Sequence, residues 1–114
     1  MTAKKNPLNL NALQLRTLTV LQVLAQVEGA ARPGPEQGEV TIGRFPPAHG
    51  DHYHLGNFVV NGSDATGLYN EAVWNALARK GLAKPDWPTA ITLTVDGLSY
   101  DTGVAQQILG RAAH

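Results

Sequence analysis

Residues 64–84 read DATGLYNEAVWNALARKGLAK and carry the clearest structural pattern in this chain. Ser63, Asp64 or Thr66 can cap a helix that ends just before Gly81, and glycine is the residue that most often follows the last turn of a helix. Apolar residues recur along the segment at the spacing of one buried helix face. That predicted face consists of Tyr69, Ala72, Val73, Ala76 and Leu77.

A second helix is predicted near the N-terminus, between Asn11 and Val27. Asn9 or Asn11 can cap this helix, and Gln14 follows Asn11 at the spacing of a capping box. Arg16 is the only charged residue inside the helix. Leu15 and Leu18 lie on the side opposite the main apolar face, so the helix is apolar on all sides. Such a helix is buried in its own fold or shared with a second subunit. We expect a homodimer that buries Leu15 and Leu18.

The remaining segments predict a loop, strands and one further helix. Glu28–Glu39 is rich in glycine and proline and predicts a loop. Val40–Phe45 and His52–Val60 predict two strands that pair as a hairpin. Thr89–Val95 alternates as a strand does, and the segment from Tyr100 to Ala112 has the periodicity of a C-terminal helix.

Two short motifs in this arrangement resemble winged-helix domains. Leu77–Leu82 reads LARKGL and is similar to the Leu-x-x-Lys-Gly-Leu pattern at the end of that family's recognition helix. Leu93–Leu98 reads LTVDGL and is similar to the Leu-Thr-x-x-Gly strand that closes the family's wing. The first and last helices resemble those of dimeric regulators of the MarR type. The chain departs from the family at Glu39–Val60, where a hairpin replaces the usual second helix, and at Lys84–Pro88, where the wing is very short.

The resemblance implies a winged-helix-like α+β fold with a β-hairpin in the middle and helices at both ends. We expect one domain over residues 1–114, with a flexible tail at residues 1–8. The implied function is that of a small, regulator-like binding module, with DNA or a protein as its partner. The predicted contact residues lie on the second long helix and the loop after it: Glu71, Trp74, Asn75, Ala78, Arg79 and Lys84.

These contact residues suit two kinds of partner. Asn75 is the residue type that reads adenine, and Arg79 is placed to reach the phosphate backbone. Glu71 opposes phosphate, and Trp74 is better suited to a protein contact. Nine Lys and Arg balance nine Asp and Glu, which excludes a strongly basic nucleic-acid binder.

The sequence lacks the motifs of several enzyme classes. The chain has no cysteine, which excludes disulfides, thiolate metal sites and a cysteine nucleophile. Ser63 and Ser99 do not lie in a nucleophile elbow, and the glycines form no phosphate-binding loop. We therefore expect a protein that is not an enzyme.

The sequence also indicates a location. No apolar run approaches the roughly 20 residues of a membrane span. Polar residues interrupt the apolar stretch that a signal peptide would need after its basic start, so we expect a cytoplasmic protein.

Residues 49–54 read HGDHYH and form the densest chemical cluster. His52 and His54 project to the same side of a strand, and His49 or Asp51 can complete a set of three ligands. Imidazole and carboxylate ligands suit zinc, nickel or iron, so the alternative function is a metal-binding protein or a small metalloenzyme. Two other interpretations are an exposed hairpin edge that happens to carry histidine and a pH-sensing cluster. Apart from a divalent metal at this cluster, no cofactor is expected.

Overall fold

The computed structural model describes residues 6–47 and 50–111. Its helices are α1 (Ala12–Leu24), α2 (Glu71–Arg79), α3 (Val95–Ser99) and α4 (Ala105–Ile108). Its strands are β1 (Ala31–Pro33), β2 (Val40–Ile42), β3 (His52–Leu55), β4 (Phe58–Asn61), β5 (Ala83–Asp86), β6 (Ala90–Leu93) and β7 (Leu109–Arg111).

The strands form two antiparallel sheets. The first has the order β1-β2-β6-β5 and the second has the order β3-β4-β7. In the first sheet Val40 pairs with Leu93 and Ile42 with Ile91. Strands β5 and β6 form a hairpin directly after α2. The predicted α+β class is confirmed.

One hydrophobic core is shared by α1, α2 and both sheets. Its largest fully buried side chains are Trp74, Leu18, Leu21, Ile42, Leu55, Leu68, Leu77, Leu82, Ile91, Leu93, Val20 and Val60.

Within the part of the chain that the structure describes, no helix combines the length and the apolar character needed to cross a membrane.

Helix α1 runs through this core. The predicted capping box is present, because the Asn11 side chain accepts from the Gln14 N–H and the Gln14 side chain accepts from the Asn11 N–H. Leu18 is 0% exposed within the single chain, and Leu15 is half-buried. The expectation that Leu18 lies at a subunit interface is therefore wrong. Helix α1 is apolar on all sides because its own chain surrounds it.

The C-terminal part of the chain covers one side of α1 through polar contacts. The hydroxyl oxygens of Thr19 and Thr102 are 2.6 Å apart in a buried hydrogen bond. The Gln22 side-chain amide donates to the carbonyls of Gly97, at 2.9 Å, and Tyr100, at 2.8 Å. These contacts satisfy polar groups that α1 would otherwise bury without partners.

Helix α2 begins later than predicted. Two 3-10 turns, Gly62–Asp64 and Thr66–Tyr69, occupy the start of the predicted helix. Asn70 caps α2 by accepting a hydrogen bond from the Ala72 N–H at 3.0 Å. The predicted helix end is confirmed, since Gly81 follows the last turn with a φ of +76°.

The middle and C-terminal segments also differ from the predictions. Strand β2 pairs with β1, inside the predicted loop, and with β6, whereas β3 and β4 form a hairpin of their own that turns at Gly56. The predicted C-terminal helix is reduced to α4, and Leu109–Arg111 pairs with β4 as strand β7. Gly103, with a φ of +74°, and Gly110 weaken a continuous helix, and β4 offers an edge to which the segment bonds.

Candidate functional site

The predicted contact residues of α2 divide into exposed and buried groups. The exposed face of α2 carries Glu71, Asn75 and Arg79, with the half-buried Ala78 beside them. Trp74 is only 1% exposed, and its indole N–H donates to the Leu68 carbonyl at 3.2 Å. The placement of Trp74 on the outward face is wrong. The predicted buried face is confirmed for Val73, Ala76 and Leu77, which are buried. Tyr69, which lies in the 3-10 turn before α2, and Ala72 are exposed where burial was predicted.

Lys84, the predicted contact in the loop after α2, lies in strand β5 and is engaged by two carboxylates. Its Nζ lies 2.8 Å from Oε2 of Glu36 and 2.8 Å from Oε2 of Glu39. Hydrogen bonds to Glu36 and Glu39 raise the pKa of Lys84, and the bond from Lys84 lowers the pKa of Glu36. A second cation, Arg16, lies 3.8 Å from Asp64. Both cations are thus already neutralised within the chain.

Five aromatic side chains form a continuous set of ring contacts, which we call the aromatic row: Trp87, Trp74, Phe45, Tyr69 and Tyr53. Successive ring centroids lie 4.7, 5.7, 6.4 and 6.5 Å apart in that order. The first and third contacts are edge to face, the favourable geometry for aromatic quadrupoles. The row therefore links the β5–β6 turn, α2, the segment after β2, and strand β3.

The aromatic row is buried at its centre and open elsewhere. Tyr69 is 54% exposed, while Phe45, Tyr53 and Trp87 are half-buried around the fully buried Trp74. The Tyr69 hydroxyl donates to the Pro46 carbonyl at 3.1 Å. Partial burial and the neighbouring Tyr53 raise the pKa of Tyr69, so its hydroxyl stays protonated at neutral pH. The row thus combines one exposed ring, three half-buried rings and one buried ring that packs against two of them.

Exposed charged residues adjoin the row in sequence. Arg44 precedes Phe45, Asp86 precedes Trp87, and Glu71 begins α2 two residues after Tyr69. Protein-binding surfaces combine apolar residues with polar and charged ones at their edge, and both kinds occur in these segments. Sequence reasoning singled out Trp74 and missed the other members, because their spacing along the chain gives no sign that five of its seven aromatic residues converge.

The histidine cluster lies on the β3–β4 hairpin, where β3 is the outer strand of its sheet. His52 and His54 project to the same side as predicted, with their Nε2 atoms 3.2 Å apart. Asp51 Oδ1 lies 3.2 Å from His52 Nδ1, and this hydrogen bond lowers the pKa of Asp51. Asp51 therefore contacts the ring on the side away from the paired Nε2 atoms and does not join them as a third ligand. The predicted ligand His49 lies outside the described residues.

The described residues contain no set of three or more His, Cys, Asp or Glu side chains arranged to hold a metal. What the hairpin brings together is a pair of imidazoles with a carboxylate behind one of them.

Two surface grooves of about 700 Å³ each share no residue with the aromatic row. One is lined by Leu8, Leu82, Tyr100 and their neighbours. The other is lined by Val27, Leu55, Phe58 and their neighbours.

Comparisons with protein-family models, curated proteins and solved structures find no match to this chain.

Proposed function

We propose that this chain is a small, regulator-like binding module of the winged-helix type that contacts a partner protein through its aromatic row. The observation that carries the proposal is the exposure of Tyr69, with the half-buried Phe45 and Trp87, around the buried Trp74. Large rings whose positions are fixed by packing lose little conformational freedom on binding, which favours affinity.

The order of elements supports the winged-helix part of the proposal. Strands β2, β6 and β5 are neighbours in one antiparallel sheet, and the β5–β6 hairpin directly follows α2. A recognition-like helix followed by a short wing is what the motifs at Leu77–Leu82 and Leu93–Leu98 imply. The proposed module is a modified one, since 3-10 turns and the β3–β4 hairpin stand where the family has its second helix.

The chemistry of the surface favours a protein over DNA. Tyrosine and tryptophan are enriched among the residues that dominate binding energy at protein interfaces. A DNA-binding surface needs cations for phosphate, whereas Lys84 is bound by Glu36 and Glu39. Glu71 at the start of α2 adds a negative charge to the same face. The net charge of zero points the same way.

The proposed occupant of the row is an apolar segment of the partner protein. Ring faces bind aliphatic, proline and aromatic side chains without requiring a matching charge. The exposed Arg44, Glu71 and Asp86 follow or precede members of the row in sequence and carry both signs, which suits a segment with polar groups of either charge beside its apolar centre.

A peptide selection tests this proposal. A displayed library of random 12-residue peptides is selected on the wild-type protein and counter-selected on Tyr69→Ala. The recovered peptides are then measured by fluorescence polarisation against both proteins. We expect apolar peptides whose dissociation constant rises at least about tenfold, or about 1.4 kcal/mol, in Tyr69→Ala. Arg79→Ala, on the exposed face of α2, serves as the matched control and should leave the affinity within about twofold.

A DNA titration tests the competing partner. Fluorescence anisotropy of a labelled mixed-sequence duplex is followed at 50 and 150 mM salt, with wild type and with Arg79→Ala. The proposal predicts no saturable binding at 150 mM salt up to about 100 µM protein, the weak end of non-specific DNA binding. Tighter binding that falls steeply with salt and weakens in Arg79→Ala would instead favour a DNA-binding regulator.

A further inference from the structure

The β3–β4 hairpin carries a feature that the proposed function does not use. The Nε2 atoms of His52 and His54 approach within 3.2 Å of each other, with ring centroids 4.9 Å apart and ring planes inclined by 73°. The two residues are separated by one position on β3, and the residue after them, Leu55, is fully buried. Strand alternation therefore places both imidazoles on the outer face of the sheet while Leu55 anchors the strand in the core.

Asp51 determines which nitrogen of His52 carries the proton. An ionised carboxylate only accepts hydrogen bonds, so the 3.2 Å contact with Asp51 Oδ1 requires His52 to donate from Nδ1. The Nε2 of a neutral His52 ring is then a lone-pair donor that points at His54. A carboxylate behind the distal nitrogen is the usual outer-shell partner of a metal-binding histidine, because it fixes the ring's tautomer and orientation.

The separation of the two nitrogens matches that of two ligands on one metal ion. Two nitrogens at about 2.0–2.1 Å from a tetrahedral Zn²⁺ lie about 3.3–3.4 Å apart. Adjacent nitrogens in a square plane around Cu²⁺ lie about 2.8 Å apart. The observed 3.2 Å falls between these values and is nearer to the first. A metal can therefore bind both nitrogens at close to their present separation once each ring turns so that its lone pair faces the metal.

From this geometry we propose that His52 and His54 chelate a divalent transition ion through their Nε2 atoms, with Zn²⁺ as the best-fitting ion. The metal takes the place of the proton between the two Nε2 atoms, and His54 adopts the neutral tautomer protonated at Nδ1. Further ligands, water among them, complete the coordination. Val59 on β4 pairs with His54, and Gly110 on β7 pairs with Val59, so the three residues lie in one row across the same face of the sheet. Because Gly110 has no side chain, this end of the row does not cover the face that carries the imidazoles.

Calorimetry on the full chain tests the site. Chelator-treated protein is titrated with Zn²⁺ in a non-coordinating buffer, beside His52→Ala, His54→Ala and, as a control, His114→Ala. We expect one Zn²⁺ per chain at micromolar affinity, weakened at least about tenfold in each hairpin variant and unchanged in His114→Ala. Unweakened binding in both hairpin variants, loss in His114→Ala, or no binding by the wild type would overturn the proposal.

Two further measurements guard against an effect of misfolding. His52→Gln and His54→Gln keep a polar side chain of similar length, and circular dichroism must show wild-type melting before their affinities are interpreted. Nitrogen-15 spectra of the imidazoles then report which atom binds. Zn²⁺ is expected to shift Nε2 of both His52 and His54, while His52 Nδ1 stays protonated. A shift at Nδ1 of His52 would contradict the proposed role of Asp51. The outcome is independent of peptide binding at the aromatic row, so the two proposals fail separately.

Discussion

The indole rings of Trp74 and Trp87 meet edge to face, with centroids 4.7 Å apart and planes inclined by 83°. Trp74 belongs to helix α2 and is fully buried, whereas Trp87 lies in the turn between β5 and β6 and is half-buried. This contact holds the β5–β6 turn against helix α2. It also supports the exposed part of the aromatic row from beneath, since Trp74 contacts Phe45 on its other side.

The Trp74–Trp87 contact predicts an energetic coupling. Trp74→Ala should cost about 3–5 kcal/mol in free energy of unfolding, because it removes a fully buried indole. Trp87→Ala should cost less, since its ring is partly exposed. Urea melts of the two single variants and the double variant should give a coupling energy of about 0.5–1.5 kcal/mol. Additive effects within about 0.3 kcal/mol would show that the rings do not stabilise each other.

Burial of Leu18 predicts that its loss affects folding and not association. Leu18→Ala should lower the free energy of unfolding by about 2–5 kcal/mol. Leu18→Glu should unfold the chain at every protein concentration, because the charge has no partner in the core. Far-UV circular dichroism with sedimentation velocity checks both. A Leu18→Glu protein that keeps its helical spectrum and sediments as a smaller species than wild type would place Leu18 at a subunit interface after all.

Gly97 lies where α3 touches the chain after α2. A Cβ at position 97 would overlap the Leu82 carbonyl oxygen, a backbone atom that cannot rotate away. Gly97→Ala should therefore destabilise the protein by about 1–3 kcal/mol, as overpacking does. Ser99→Ala, at an exposed site of the same helix, should change stability by less than about 0.5 kcal/mol. Equal thermal melts for the two variants would mean that α3 is not held against Leu82.

The Glu36–Lys84–Glu39 contacts predict a pH-dependent contribution to stability. The pKa of Glu36 is lowered in the folded state, so its contribution is present above its unfolded value of 4.5 and is lost as the pH falls through the folded pKa. The pKa of Lys84 is raised, so its contribution is lost only in strong alkali, above 10.5. Lys84→Met should thus destabilise the protein at pH 7 and have a smaller effect at pH 3. An equal effect in urea melts at both pH values would refute the contribution of these contacts.

Local signals in the sequence predicted several elements well. The capping box of Asn11 and Gln14 and the glycine at position 81 are encoded within a few residues, and both are present. The start of α2 is predicted too early because Ser63, Asp64 and Thr66 can each cap a helix, whereas α2 begins after Asn70, which caps it. The C-terminal strand was missed because the free edge of β4, to which Leu109–Arg111 bonds, exists only in the assembled fold.

The two candidate sites also differ in whether a local sequence pattern predicts them. The side-by-side placement of His52 and His54 follows from strand alternation, which acts over two residues, and the structure confirms it. The aromatic row joins residues as far apart in sequence as Phe45 and Trp87, and no periodicity predicts that their rings meet. Apolar patterning alone also left open whether α1 is covered by its own chain or by another.

The central claim is that a partner protein binds at the aromatic row, and nuclear magnetic resonance mapping tests it most directly. A selected peptide is titrated into nitrogen-15-labelled protein while the two indole N–H signals and the backbone amides are followed. We expect the largest shifts at Trp87, Phe45 and Tyr69, with saturation that follows the peptide's dissociation constant. Shifts confined to the groove around Tyr100, or to the exposed face of α2 around Asn75, would contradict it.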